Sequence, residues 1–315
     1  MRMALFLSAA FALAQAQSRP PQGGELSPDV KLKTRTAGAA PVVMAGPDGR
    51  VDPRLAAAGS RIAEAAERFS QAAQQYMCRE TLVQRAIRTR SVRKVKGTAV
   101  ALGSNPQYDH RQIVSFYGFT TVGRSPAIRE LRQVLTVDKE TLAKEFEGRK
   151  SFRNALLAHD DESKGGMMSA FGAEGLRGVA TDLGQMVLLF DRDSMKNFAF
   201  EYDREERIGS TSTMVIRYTQ KRGSEAVRID ENGKHSKGEL RGWLWVRLPD
   251  HLPVRITMIT TRNEKKRDVR DEAEVDYAEI SSGALLPMAV IHRRWENDIL
   301  AAEDDFRYSE WQPLQ

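Results

Sequence analysis

The C-terminal part of the chain, from Asn197 to Trp311, constrains the fold most strongly, because strand patterns follow one another there without a helix-length interruption. Apolar and polar residues alternate with a period of two, as in strands whose successive side chains point to opposite faces. Turn-forming pairs such as Ser282-Gly283 separate the segments, and short turns join antiparallel neighbours. We therefore predict an antiparallel meander whose strands are Phe198–Arg207, Thr211–Lys221, Ala226–Asp230, Gly242–Leu248, Val254–Arg262, Asp268–Ile280, Leu285–Glu296 and Ile299–Tyr308.

The N-terminal half adds helices and further strands. Apolar residues from Leu55 to Met77 recur at spacings of three, four and seven, which is one face of an amphipathic helix. A second helical region fits residues 152–190, where apolar residues return to helical spacing around a glycine-rich stretch. Between the two helical regions the period is two again, and we predict three strands near Glu80–Val92, Gln107–Phe119 and Ile128–Val137.

These elements predict an α+β protein with one large antiparallel sheet of about eleven strands. A sheet of that size must curl or close to protect its edges. We therefore expect a curved sheet, an incomplete β-barrel, with helices packed on or plugging its concave face. Similar strands frame the helical insert on both sides, so residues 55–315 are predicted to form a single domain.

Residues 1–16 have the features of a signal peptide. Arg2 supplies a positive charge, Ala4–Ala14 form an apolar run, and the residues up to Ala16 match the small-x-small pattern that signal peptidase cleaves. The run is shorter than the roughly 20 apolar residues that cross a bilayer. Residues 17–54 are rich in Pro, Gly and Ala without periodicity, which predicts a flexible leader. We expect export by a cleavable signal peptide to the periplasm or, alternatively, to the extracellular space.

Composition excludes several classes of protein. The chain has 315 residues, of which 41% are hydrophobic, so it can bury a core and is not a disordered chain. The single cysteine, Cys78, excludes a disulfide scaffold and a multi-thiolate zinc site. We interpret Cys78 as a small buried hydrophobe, and a reactive thiol beside Arg79 is the alternative.

The net charge of +6 is densest in one block near the first predicted strand. Nucleic acid is not expected as a partner of an exported protein, whereas anionic lipid head groups are. Two interpretations of the block are open: a solvated strand face, and a patch that contacts a membrane or other anionic surface. The block contains Arg85, Arg88, Arg90, Arg93, Lys94 and Lys96, with no acidic residue between them.

No catalytic signature is found in the sequence. No two of the five histidines have the His-x-x-x-His spacing of a helix-borne metal pair. The one tight group of possible ligands, His159–Glu162, is interpreted as a solvated acidic turn because it lies in a polar, glycine-flanked loop. The Gly-x-Ser-x-Gly motif and a glycine-rich phosphate loop are missing. We predict no catalytic residue, no metal site and no cofactor.

Four local strings mark the passages between elements. They are Tyr76–Thr81 after the first helix, Gly242–Val246 before a turn, the reversal Leu252–Ile256, and Leu285–Met288 at the start of a late strand. With the order of elements over most of residues 55–311, they resemble the periplasmic lipoprotein-carrier group with the LolA/LolB-like fold. The chain resembles the uncharacterised bacterial secreted relatives of the carriers more than the carriers themselves.

The resemblance implies non-catalytic binding of a lipid, a lipoprotein or another amphiphile in an apolar cleft of the sheet. Two alternatives are kept: an envelope sensor or scaffold that binds a protein partner through the same face or the basic block, and a hydrolase of an envelope polymer. Ordinary core packing would give the same alternation of side chains. The candidate lining residues are Met214, Ile216, Tyr218, Trp243, Trp245, Ile256, Met258, Tyr277, Met288 and Val290.

Overall fold

The computed structural model describes residues 5–8, 42–88, 94–95, 98–99, 106–123, 127–157, 161–176, 179–223, 227–231, 234–236, 239–264 and 267–314. Within these ranges the helices are α1 (Ala58–Ala72), α2 (Glu145–Leu157) and α3 (Asp161–Glu174). The strands are β1 (Leu5–Ser8), β2 (Tyr76–Ile87), β3 (Lys94–Val95), β4 (Thr98–Ala99), β5 (Tyr108–Thr121), β6 (Ile128–Val137), β7 (Glu140–Thr141), β8 (Phe198–Ile208), β9 (Thr211–Gln220), β10 (Val227–Glu231), β11 (Lys234–Ser236), β12 (Glu239–Arg247), β13 (Pro253–Glu264), β14 (Arg267–Glu279), β15 (Leu285–Glu296) and β16 (Ile299–Pro313).

Eleven strands form one curved sheet with the order β7-β6-β5-β2-β16-β15-β14-β13-β12-β9-β8. Every neighbouring pair in it is antiparallel. The last strand, β16, pairs with the first strand of the sheet, β2, so the two ends of the folded chain meet in its middle. The sheet is not closed into a barrel, since β7 and β8 remain its two edges. The predicted α+β class with an incompletely closed antiparallel sheet is confirmed.

Most strand bounds agree with the sequence patterns, and one strand differs in its pairing. The segment predicted at Ala226–Asp230 forms β10, which pairs with β1 and β11 outside the large sheet. The reason is that β9 pairs directly with β12, so the residues between those two strands leave the sheet. The short strand β7 takes the eleventh place instead.

The sheet separates two apolar cores. We call the face packed against α1 the inner face; Ile62 and Phe69 of α1, at the predicted helical spacing, are fully buried against it. On the opposite, outer face a smaller core forms around Phe116 of β5, whose ring stacks on Phe152 of α2 at 6.3 Å. Helices therefore cover both sides of the sheet.

The insert between β7 and β8 passes around the sheet edge from one face to the other. α2 lies on the outer face, and Met167 and Met168 of α3 pack against the same core. Phe171, one turn later in α3, belongs instead to the inner core. The chain then crosses the inner face as residues 179–197, which we call the strap.

The strap contains two 3₁₀ turns, Met186–Phe190 and Met195–Asn197, and no α-helix. The helical insert expected near 152–190 thus starts earlier, at Glu145, and its α-helical part ends at Glu174. The helical spacing of the apolar strap residues reflects their burial, since all five residues of Met186–Phe190 are buried. None of the helices in the described residues is long and apolar enough to span a bilayer.

The predicted signal peptide 1–16 and leader 17–54 lie mostly outside the described residues. Of the former, Leu5–Ser8 form β1 in parallel with β10. Of the latter, residues 42–54 are described, and Met44 among them is buried in the inner core. Phe200 of the edge strand β8 donates its backbone N–H to the carbonyl of Ala45 at 2.9 Å, so this stretch covers part of the edge.

Candidate functional site

Seven of the ten predicted lining residues share the inner face, and three do not. The seven belong to the single core beneath α1 and the strap, and each is at most 5% exposed. Trp243, Trp245 and Met288 are not members of this core. The seven are Met214, Ile216, Tyr218, Ile256, Met258, Tyr277 and Val290.

The two tryptophans lie on the outer face because of the register of β12. Leu244 pairs with Ile216 of β9 and Ile256 of β13, both on the inner face, so its neighbours Trp243 and Trp245 point outward. There the indole Nε1 of Trp245 donates to the Glu206 carboxylate. Both faces of β12 are apolar, which is why alternation alone did not identify the inward set.

Met288 lies at an irregularity in the ladder between β14 and β15. Tyr277 pairs with Pro287, whereas its neighbour Asp276 pairs with Ala289, so Met288 has no partner in the register. This β-bulge displaces Met288 from the alternation that places Val290 on the inner face.

The strap fills the inner face with its own apolar side chains. The ring of Phe190 meets Tyr218 edge-on, with ring centroids 4.9 Å apart, and lies 5.8 Å from Phe198 of β8. Val187 lies beside Tyr277, since its backbone N–H donates to the tyrosine hydroxyl at 3.0 Å. The candidate lining residues are thus covered by a segment of the chain itself.

Side chains of the sheet hold the backbone of the strap. Glu130 of β6 accepts the N–H groups of Asp182 and Gly184, both at 2.7 Å, and Asp304 of β16 accepts that of Ala180 at 3.0 Å. Tyr277 donates its hydroxyl to the carbonyl of Gly184 at 3.0 Å. These bonds satisfy buried backbone groups that would otherwise be costly.

Glu130 and Asp182 form the centre of this attachment. The backbone N–H of Glu130 donates to Asp182 at 2.9 Å, and Arg129 lies 3.1 Å from the same carboxylate. Glu130 in turn accepts the hydroxyl of Tyr117 at 2.8 Å and faces Arg132 at 2.9 Å. Burial raises the pKa of Asp182 to about 7, although Arg129 acts in the opposite direction.

A row of polar side chains crosses five neighbouring strands on the inner face. Gln84 of β2 donates to Asp304 of β16 at 2.6 Å, and Asp304 faces Nδ1 of His292 on β15 at 3.0 Å. Nε2 of His292 lies 3.1 Å from Asp271 of β14, which accepts from Arg262 of β13. Asp304 also holds the strap, so the row and the strap share one carboxylate.

Each charged group of this row stabilises the charged form of its neighbour. Burial works against a charged imidazole, but the carboxylates of Asp271 and Asp304 outweigh it and raise the pKa of His292 to about 9. For Asp271, burial is outweighed by the hydrogen bond and charge of His292 and by the nearby arginines, which lower its pKa. Both ring nitrogens of His292 therefore donate at neutral pH. A histidine bonded in this way, and 3% exposed, has no free nitrogen for a substrate.

The described residues contain no group of three or more His, Cys, Asp or Glu side chains that could hold a metal ion. Cys78 is buried in the inner core, and burial raises the pKa of its thiol. The interpretation of Cys78 as a buried hydrophobe is therefore confirmed.

The described part of the predicted basic patch is paired with acids. Arg85 is 3.0 Å from Glu303, and Arg88 is 2.6 Å from Asp109 on the neighbouring strand. The side chains of Arg90, Arg93, Lys94 and Lys96 lie outside the described residues, as do His159 and Asp160. The other two residues of the predicted acidic turn, Asp161 and Glu162, are exposed at the start of α3.

The sequence interpretation did not identify the polar groups that hold the strap. The sequence does contain one indication of them in β16. Among its inward positions, Asp304 is a carboxylate between the apolar or aromatic residues Ala302, Phe306 and Tyr308. A charged residue among inward apolar positions must find a buried partner. Its partners come from distant parts of the sequence, so alternation does not name them.

Comparison with known proteins gives matches at low similarity. No family model matches the chain, and no curated protein matches its sequence. Solved structures that match include a DUF1329 family protein from Desulfovibrio piger, with 10% identity over 82% of this chain and 93% of that one and a TM-score of 0.31. Others are a putative outer membrane lipoprotein-sorting protein domain from Vibrio parahaemolyticus (7% identity, 80% and 90%, TM-score 0.30) and a LolA superfamily protein from Nitrosomonas europaea (10%, 79% and 92%, 0.27).

Two of these three are named for lipoprotein sorting or for the LolA superfamily, the group that the sequence resembles.

Proposed function

We propose that the protein binds the acyl chain of a lipid or acylated protein on the inner face, in the space that the strap occupies. One observation carries the proposal: five consecutive apolar residues, Met186–Phe190, form a 3₁₀ turn buried in the same core as the seven predicted lining residues. The strap thus occupies the place where a flexible apolar ligand would lie.

Burial of the strap side chains and burial of an acyl chain on the inner face contribute comparable free energies. Burying five large apolar side chains contributes about 10 kcal/mol at about 2 kcal/mol each. An acyl chain of about fourteen methylenes contributes a similar amount at about 0.8 kcal/mol per methylene. A long-chain ligand can therefore compete with the strap, whereas a short chain cannot.

The attachment of the strap favours exchange. The backbone groups of Ala180, Gly184 and Val187 bond to the side chains of Asp304, Glu130 and Tyr277. Releasing this part of the strap would therefore leave the ladders between strands intact. Each such bond contributes about 1 kcal/mol net. The strap can then leave the face while the sheet remains folded.

The proposed role is binding without catalysis, in the periplasm after export by the predicted signal peptide. The engaged ring of His292 supports it, because this buried histidine already has both nitrogens bonded to carboxylates. No specific observation favours the scaffold or the hydrolase. Arg85 and Arg88 of the basic block already have acidic partners.

The test uses two buried tyrosines that differ in what they hold. Tyr277→Phe removes two hydrogen bonds to the strap. Tyr218→Phe, the matched control, removes a bond from the hydroxyl to the backbone carbonyl of Thr257 within the sheet, at 2.7 Å. Titration of the full chain with a dansyl-labelled long-chain fatty acid should show saturable binding that Tyr277→Phe tightens up to about thirtyfold. Absence of saturable binding, or an equal gain in Tyr218→Phe, would contradict the proposal.

A further inference from the structure

Exposed hydrophobic side chains concentrate at α2. Among the described residues, the exposed large hydrophobics include Leu142, Phe146 and Leu157, at 50%, 77% and 60% exposure, and Phe146 is the one aromatic among them. The others are single valines and an isoleucine in other elements: Val43, Val51, Val83 and Ile299.

Cations lie between these hydrophobic side chains on one face of the helix. Phe146, Lys150, Arg153 and Leu157 follow one another at spacings of four, three and four, which places them in one line along α2. All four are exposed. We call this line the α2 stripe. The opposite side of α2 is buried through Phe152 and its neighbours against the outer face of the sheet.

The two acidic residues of α2 flank this line: Glu147 is exposed, three residues before Lys150, and Glu145 is paired with arginines. Glu145 is 2.9 Å from Arg79 of β2 and 3.5 Å from Arg149, so sheet and helix arginines neutralise it. Lys144, directly before the helix, is exposed and adds a further cation. The exposed line is therefore cationic in the middle and apolar at both ends.

We propose that the α2 stripe docks on an anionic lipid bilayer surface. A helix lying in the interface buries aromatic and leucine side chains at the acyl boundary, while its lysines and arginines meet the lipid phosphates. Phe146 and Leu157 supply the first contact, Lys150 and Arg153 the second. The stripe lies on the outer face, opposite the proposed ligand site. Binding of the stripe to a bilayer can therefore be tested independently of the proposed function.

The test is co-sedimentation of the full chain with vesicles. Phosphatidylglycerol-containing vesicles should bind the protein, pure phosphatidylcholine vesicles should bind it at least about tenfold more weakly, and high salt should weaken binding to the former. Phe146→Ser with Leu157→Ser should reduce binding about tenfold, and Lys150→Glu with Arg153→Glu should abolish the preference for anionic vesicles. Ile299→Ser, an exposed hydrophobe of β16, is the matched control and should bind as the unchanged chain does.

Equal binding to both vesicle types, no binding to either, or an equal loss in Ile299→Ser would overturn the proposal. Size-exclusion chromatography with light scattering tests whether the stripe instead contacts a second copy of the chain. An oligomer that Phe146→Ser disperses would show that a second copy of the chain covers the stripe, and would also overturn it. Because the substituted side chains are exposed, circular dichroism should report an unchanged fold for every variant.

Discussion

His292 Nδ1 lies 3.0 Å from Asp304 Oδ2 in the interior of the protein, and the same oxygen accepts the backbone N–H of Ala180 from the strap at 3.0 Å. One carboxylate thus joins the charged row of the sheet to the segment that covers it. The strength of this link depends on the proton that His292 carries.

The raised pKa of His292 predicts a loss of stability at alkaline pH. The folded protein holds this proton up to about pH 9, whereas an unfolded chain releases it near 6.5. The contribution is therefore complete below about pH 6.5 and is lost as pH rises to about 9, a change of about 3 kcal/mol in the free energy of unfolding. Urea denaturation across this range should show the decline.

Variants of two histidines assign this pH dependence. His292→Gln should lose the decline and should be less stable at pH 7 by about 3 kcal/mol, since it leaves two carboxylates without their cation. His110 is exposed on β5, and His110→Gln should keep the decline. A decline that persists in His292→Gln would show that another group titrates.

Asp182 predicts a trend of the same sign at lower pH: the strap should be held more tightly at acidic pH. Its pKa is raised to about 7 when the strap is attached, from an ordinary value of 3.8. Attachment is therefore strongest below about pH 4 and weakens as pH rises to about 7, by up to about 1.4 kcal/mol per pH unit. Arg129 and the backbone N–H of Glu130 contact this carboxylate, and Arg132 and Tyr117 contact the neighbouring carboxylate of Glu130.

Hydrogen exchange of strap peptides, corrected for the intrinsic pH dependence of exchange, measures this effect. Between pH 5 and 6.5, where His292 stays charged, protection of the strap should fall in the unchanged chain and stay constant in Asp182→Asn. Asparagine also tolerates the left-handed backbone at this position, where φ is 63°. The same fall in both proteins would contradict the assignment.

The close packing around Gly184 predicts that adding a methyl group at this position loosens the strap. A Cβ at this position would lie 2.5 Å from the Tyr117 hydroxyl and 2.9 Å from Glu130 Oε1, so Gly184→Ala should raise strap exchange and lower stability by roughly 1–3 kcal/mol. The control is Gly166→Ala in α3, where a Cβ meets nothing within 4 Å. That variant should be more stable by up to about 1 kcal/mol. Destabilisation of equal size in both would refute the steric argument.

The sequence predicted the strands well and the strap less well, for physical reasons. The predicted bounds of β6 and β15 agree with the structure to the residue. In β12 both sides are apolar, so Trp243 and Trp245 were placed inward although Leu244 occupies that face. The strap residues from Leu183 to Phe190 show helical spacing but form a 3₁₀ turn, because Glu130 and Tyr277 bind their backbone.

The most direct measurement of the central claim is the quenching of tryptophan fluorescence by a brominated long-chain fatty acid. Of the four tryptophans, Trp311 packs against the inner core, its ring parallel to Phe119 with centroids 6.5 Å apart, and its indole donates to the carbonyl of Pro287 at 3.0 Å. A chain that replaces the strap would lie near this ring. We predict saturable quenching that Trp311→Phe abolishes and Trp243→Phe retains; quenching that survives in Trp311→Phe and disappears in Trp243→Phe would place the ligand on the outer face and contradict the account.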